Sequence, residues 1–143
     1  MLKNIFLPAV AILLFSCSGR DAKNTRVETN MVQDSLATTT VALIDSVHDF
    51  GTITEGETVE FSFRFKNSGN KPLIVSNATA SCGCTIPEKP EKPIMPGETG
   101  FIKVKFNSER RVGQTSKSVH VVANTVPAFP DLVLKGTVQE KKS

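Results

Sequence analysis

The chain has no tryptophan and no tyrosine, so its nine phenylalanines must supply nearly all of the large apolar anchors in its 143 residues. Each one, fully buried, contributes about 1.5–3 kcal/mol, and their positions therefore mark the core. Histidine is scarce: His48 and His120 stand far apart, and each reads as a surface side chain. Paired zinc-binding histidines, a Gly-x-Ser-x-Gly nucleophile turn and closely spaced carboxylates are all missing. Their absence removes the usual sequence supports for hydrolytic or acid–base catalysis, so the expectation is a non-enzyme without cofactor. The net charge is only +3, with Lys and Arg dispersed, which leaves no dedicated surface for nucleic acid. One ordinary domain is all that this length supports.

No apolar run reaches the twenty or so residues that a membrane-crossing helix requires. The run Ile5 to Phe15 follows a single positive charge at Lys3, and that brevity is the mark of a secretory signal. Leu14-Phe15-Ser16-Cys17 resembles a bacterial lipobox, with Phe15 where a small residue is usual. Residues 1–16 are thus expected to be a lipoprotein signal peptide and Cys17 an acylated first residue, giving the protein the membrane as a partner. Several acyl chains, at about 0.8 kcal/mol per buried methylene, would make attachment durable. Lipidation also accounts for an odd cysteine count, since three cysteines then leave Cys82 and Cys84 as a pair. Ser18 after the cysteine points to the outer membrane of the bacterial envelope. Residues 17–40 are rich in Ser, Thr, Asn, Asp and Lys and read as a flexible tether.

From Val41 the hydrophobic period becomes two. Val59, Phe61, Phe63 and Phe65 alternate with Thr58, Glu60, Ser62, Arg64 and Lys66, the pattern of a half-buried strand. Gly100 to Asn107 repeats it, with Ile102, Val104 and Phe106 opposite Phe101, Lys103 and Lys105. Further strands are expected at Val41–Val47, Leu73–Ala80, Val119–Ala123 and Leu132–Val138. Turn signals separate them: Asp49-Phe50-Gly51, Glu55-Gly56-Glu57, Asn67-Ser68-Gly69-Asn70, Pro96-Gly97-Glu98 and Pro127 to Pro130. About seven short strands at this spacing predict an all-β, immunoglobulin-like antiparallel β-sandwich over residues 41–139, followed by a tail at 140–143.

Asp49-Phe50-Gly51 copies a kinase metal-binding signature without the rest of that machinery and reads as a turn that ends a strand, with Phe50 entering the core. The chemically dense stretch is Ser81-Cys82-Gly83-Cys84-Thr85. On an extended strand the two β-carbons would lie beyond disulfide reach, so a bridge requires a bend at Gly83, where glycine tolerates unusual backbone angles. Three uses of the pair stand open. The sulfurs form a structural anchor beneath a loop, a redox pair, or a soft-metal site in which Cys82 and Cys84 are joined by His120, Met95 or a second molecule.

Four blocks in order, His48-Asp49-Phe50-Gly51, Phe65-Lys66-Asn67-Ser68-Gly69, Ser81-Cys82-Gly83-Cys84-Thr85 and Pro93-Ile94-Met95-Pro96-Gly97-Glu98, resemble the domain of unknown function 1573 family across Leu43 to Val138. The resemblance implies an immunoglobulin-like sandwich similar to major sperm protein and ciliary ASH-type domains, commonly attached to envelope lipoproteins. It marks Cys82 to Thr85 as a signature without assigning them a role. The expectation is a lipid-anchored binding or assembly module with an envelope protein as partner, the alternative being a redox or soft-metal lipoprotein acting through Cys82 and Cys84.

Overall fold

A computed structural model of the chain describes residues 37–142. Cys17, the expected signal peptide and most of the expected tether lie outside the described residues. Eight strands build two four-stranded sheets: β1 (Val41–Leu43), β2 (Val47–Thr54), β3 (Thr58–Asn67), β4 (Val75–Ala80), β5 (Thr85–Glu88), β6 (Thr99–Asn107), β7 (Gly113–Ala123) and β8 (Leu132–Gln139). The first sheet runs β1-β3-β6-β5 and the second β2-β8-β7-β4. The fold is thus the expected all-β sandwich, and every strand pair is antiparallel except β2 with β8, which is parallel.

Alternation places the core. Phe63, Phe65, Ile102, Val104 and Phe106 from the first sheet meet Val75, Val119, Val121, Leu132, Leu134 and Val138 from the second, all nearly inaccessible to water. Phe65 and Phe129 meet edge to face at 5.2 Å, and Phe50 stacks on Phe106 at 5.7 Å. These separations suit aromatic quadrupoles as well as burial. Phe101, on the charged face of β6, is half exposed as its strand register requires. His48 leaves the surface role expected of it, lying half-buried with its ring stacked on Phe61 at 3.7 Å.

Several local expectations need correction. Asp49-Phe50-Gly51 is not a terminating turn but a bulge inside β2: the register with β8 slips between Asp49 and Thr52, and Gly51 takes a φ of 70° with its N–H on the Asp49 side chain. An extra residue in one strand gives this kink without ending the pairing. The single strand expected over Val41–Val47 is broken, because Ile44 and Asp45 both donate backbone N–H groups to the Arg64 carbonyl while the chain crosses between sheets. β7 begins at Gly113, well before Val119, and β5 lies in a proline-rich stretch where no strand was expected.

The tether boundary also moves. Residues 37–40 belong to the sandwich: Thr39 is buried, bridges Thr125, donates its N–H to Asn124 and accepts from Val126, while the Ala37 carbonyl accepts from the Asn124 side chain. The chain therefore enters at the pole formed by Asn67, Gly97 and Asn124. The opposite pole holds Thr58, Asn107 and Gly113, and β3, ten residues long, spans the distance between them, roughly 30 Å.

Candidate functional site

The cysteine pair lies in the link that carries the chain from β4, at the edge of the second sheet, to β5, at the edge of the first. Thr85 N–H donates to the Cys82 carbonyl at 3.2 Å, a four-residue turn, and Asn107 N–H donates to the Cys84 carbonyl at 2.9 Å. Ser81 N–H is held by the Ser118 carbonyl on β7. These bonds, none of which involves a sulfur, place the segment at the Asn107 pole. In the structure Cys82 and Cys84 are joined by a disulfide, their Cα atoms 5.3 Å apart.

The reason for Gly83 is not the one expected. Its backbone lies outside the left-handed region that only four other glycines of the described residues occupy, and a Cβ built on it would meet nothing within 4 Å. The missing side chain leaves the outer side of the ring bare. Cys84 packs its inner side against the core, and both cysteines are partly exposed.

Such a bridge does little for the fold. Closing a loop of three residues removes about 1.5 kcal/mol of chain entropy from the unfolded state, against about 3 kcal/mol for fifteen residues. It also joins no two strands that backbone hydrogen bonds leave apart.

Beneath the sulfurs sits Thr85, only 3% exposed. Its hydroxyl lies 3.7 Å from Cys82 Sγ and 3.8 Å from Cys84 Sγ, near enough to donate to either, and it has no other hydrogen-bond partner among the described residues. Beside the ring an open groove of about 550 Å³ is lined by Gly83, Cys84, Ile86, Lys105, Arg110 and Arg111, with Glu109 its one carboxylate. Sequence reasoning missed this basic loop, since Arg110-Arg111 has no partner motif to flag it. What places it is Ser108, fully buried, whose hydroxyl donates to the Glu57 carbonyl at 2.7 Å. Arg110 sits at φ 57° with its N–H on Glu55 Oε1, an unusual conformation for a residue with a side chain.

The other residues weighed for the site are elsewhere. His120 projects from β7 and pairs with Asp131 at 2.9 Å, and Met95 lies in the turn before β6, its N–H on Glu98. Neither lines the groove, and among the described residues no three His, Cys, Asp or Glu side chains come together as metal ligands would.

A two-sheet immunoglobulin-like, PapD-like sandwich with a disulfide turn between its sheet edges is the class that this geometry defines. The chain belongs to the family described as Protein of unknown function (DUF1573), whose profile matches residues 41–138. Comparison with curated protein sequences found no significant match. Among solved structures, a protein of unknown function from Porphyromonas gingivalis W83 is similar with a TM-score of 0.63 at 16% identity, over 72% of this chain and 48% of that one. The ASH / PapD-like domain 7 of human CEP192 gives 0.56 at 14%, over 95% and 99%. The secreted serine protease VesC from Vibrio cholerae gives 0.53 at 12%, over 80% and 26%. The chain thus spans about half the length of the first of these and about a quarter of the protease. At such identities the likeness is one of fold.

Proposed function

We propose that the protein is a non-enzymatic binding and assembly module of the bacterial cell envelope, anchored in the outer membrane by acyl chains on Cys17 and receiving a strand of another envelope protein on the free edge of β4. The sheet edges carry this reading. A free edge offers unpaired backbone groups to any passing strand, and proteins usually blunt it with charge, proline, a bulge or short length. β1 is three residues long; β5 is four and contains Pro87; β2 is bulged and carries Asp49. β4, Val75–Ala80, has six residues with neither a charge nor a proline, and its one irregularity lies at its start, between Val75 and Asn77. The half beyond that irregularity is suited to strand addition once the Asn77 side chain gives up the Ala78 N–H it accepts from, and in that mode main-chain bonds give affinity and alternate side chains give selectivity.

Three variants test the reading. A photo-crosslinker at Thr79, which is exposed, is expected to yield a specific adduct in envelope preparations, and Ala78→Pro, whose N–H bonds to the Asn77 side chain rather than to β7, is expected to abolish it. Absence of any adduct from a properly folded protein would remove the edge from consideration. Cys17→Ser is expected to move the protein from the membrane to the soluble fraction; unchanged fractionation would remove the anchor.

A further inference from the structure

The ring at Cys82–Cys84 combines four features that a structural crosslink does not need. Its turn is held by backbone bonds in which neither sulfur takes part. Its outer side is bare at Gly83. A buried hydroxyl, Thr85 Oγ1, lies within hydrogen-bonding reach of both sulfurs and has no other hydrogen-bond partner among the described residues. Disulfide sulfur is a weak acceptor, whereas a thiolate accepts strongly, so this donor favours the reduced pair. Finally, two cations stand over the groove that leads to Cys84. Lys105 is committed to Glu60 at 2.9 Å, but the side chains of Arg110 and Arg111 have no ion-pair partner among the described residues. Their loop is fixed by Ser108 and by the bond from Arg110 to Glu55.

We infer that Cys82–Cys84 is a thiol–disulfide exchange site that, in a single stoichiometric exchange per ring, oxidises an acid-flanked dithiol on an extended segment of a partner protein. The partner thiol enters along the groove as its thiolate and attacks the sulfur of Cys84, the cysteine that lines it. The Cys82–Cys84 bond breaks as a mixed disulfide forms, and Cys82 leaves as a thiolate that accepts the Thr85 hydroxyl hydrogen bond. The partner's second thiol, deprotonated in turn, attacks its own neighbour in the mixed disulfide and releases Cys84. Two electrons and two protons pass from the partner, which ends as a disulfide, to Cys82 and Cys84, which end as thiols. Arg110 and Arg111 select carboxylates beside the attacking cysteine. The assignment does not depend on β4 accepting a strand.

The test uses the full chain in its oxidised form and two synthetic Cys-x-x-Cys peptides, one flanked by glutamates and one by lysines, with intact mass after alkylation as the readout. At low salt the acidic peptide is expected to reduce the ring at least ~10-fold faster, the lower end of electrostatic steering. The difference is expected to fall below ~3-fold at 1 M salt, where the Debye length is about 3 Å, and in Arg110→Gln/Arg111→Gln. Gly83→Val, whose Cβ would meet nothing within 4 Å, is expected to slow both peptides while the circular dichroism and melting temperature stay at wild-type values. Thr85→Val, which keeps the volume, is expected to shift the equilibrium with glutathione toward the disulfide. A ring that neither peptide reduces in the folded protein, yet that opens in urea, overturns the inference. Equal rates for the two peptides overturn the selection of acidic partners, and an unaffected Gly83→Val overturns the route of attack.

Discussion

Asn67 is the side chain whose loss should cost this fold most for its size. It is fully buried, and all four of its hydrogen-bonding positions are filled: Oδ1 accepts from Thr39 Oγ1 at 2.9 Å and Gly69 N–H at 3.1 Å, while Nδ2 donates to the carbonyls of Lys71 at 2.7 Å and Ile94 at 2.8 Å. One amide thereby joins the entering chain, the β3–β4 turn and the loop before β6. Asn67→Ala strands four partners. At about 1 kcal/mol or more for each orphaned group, and with the turn atoms partly rescued by water, the loss is about 3–5 kcal/mol. That is a large part of the 5–15 kcal/mol that typically holds a domain together. In urea, followed by far-ultraviolet circular dichroism, the midpoint should fall by roughly 2 M at an m-value of about 2 kcal/mol/M that itself stays constant. A double-mutant cycle sharpens the claim. Thr39→Val alone should cost about 1 kcal/mol, but almost nothing in the Asn67→Ala background, because its acceptor is already gone. A midpoint for Asn67→Ala within 0.5 M of wild type, or additive costs in the cycle, would refute the idea that this amide closes the pole.

Four further substitutions follow from local surroundings. A Cβ at Gly136 would run into the Phe50 ring and lie 2.7 Å from the Gly51 carbonyl, and one at Gly100 would run into the Phe65 ring, so Gly136→Ala and Gly100→Ala should each lower stability by about 1–3 kcal/mol, with Gly83→Ala as a near-neutral control in the same melts. Thr125 is buried and its hydroxyl has no hydrogen-bond partner among the described residues, so Thr125→Val should raise stability by about 1 kcal/mol and the melting temperature by several degrees; a lowered value would mean that the hydroxyl has a partner. The Arg64 guanidinium, donating to Asp45 from Nε at 2.8 Å and Nη2 at 3.0 Å, holds that carboxyl below the usual carboxylate range against the opposing effect of burial. Because the folded value is the lower one, this contribution is complete above the unfolded pKa of about 3.9 and is lost as pH falls through the folded value. Melting temperatures recorded from pH 5 down to pH 2 should therefore fall less steeply for Asp45→Asn than for wild type.

What the sequence could show was set by where side chains alternate. β3 and β6 pair residue for residue from Thr58 with Asn107 to Lys66 with Thr99, and both were legible because one face of each is buried and the other wet. β5 was not, since its four residues include Pro87 and the strand exists only because β6 offers a partner. The bulge at Asp49-Phe50-Gly51 was mistaken for a strand end because glycine at positive φ and an aspartate capping its N–H serve equally well in a turn. At the candidate site the cysteines were visible and the arginines were not. Arg110 and Arg111 are brought beside the ring by Ser108, whose hydroxyl reaches the carbonyls of Thr54 at the end of β2 and of Glu57 just beyond it, and by the Arg110 N–H bond to Glu55. Long-range capping of that kind leaves no periodic trace.

The two proposals meet at one point in the fold. β4 ends at Ala80, two residues before Cys82, so a partner strand lying along β4 and continuing in its own direction would reach the ring within roughly 7 Å. Strand addition could then deliver the dithiol, with Arg110 and Arg111 reading its flank. A long peptide, carrying a β-forming segment ahead of the acid-flanked cysteines, should therefore reduce the ring faster than the short acidic peptide, and Ala78→Pro should remove that advantage while leaving the rate of the short peptide unchanged. Equal slowing of both peptides would show that the proline disturbs the ring itself. An advantage that persists in Ala78→Pro would show that the extra segment binds elsewhere, and the edge and the sulfurs would then be separate sites that share only their address at the seam between the sheets.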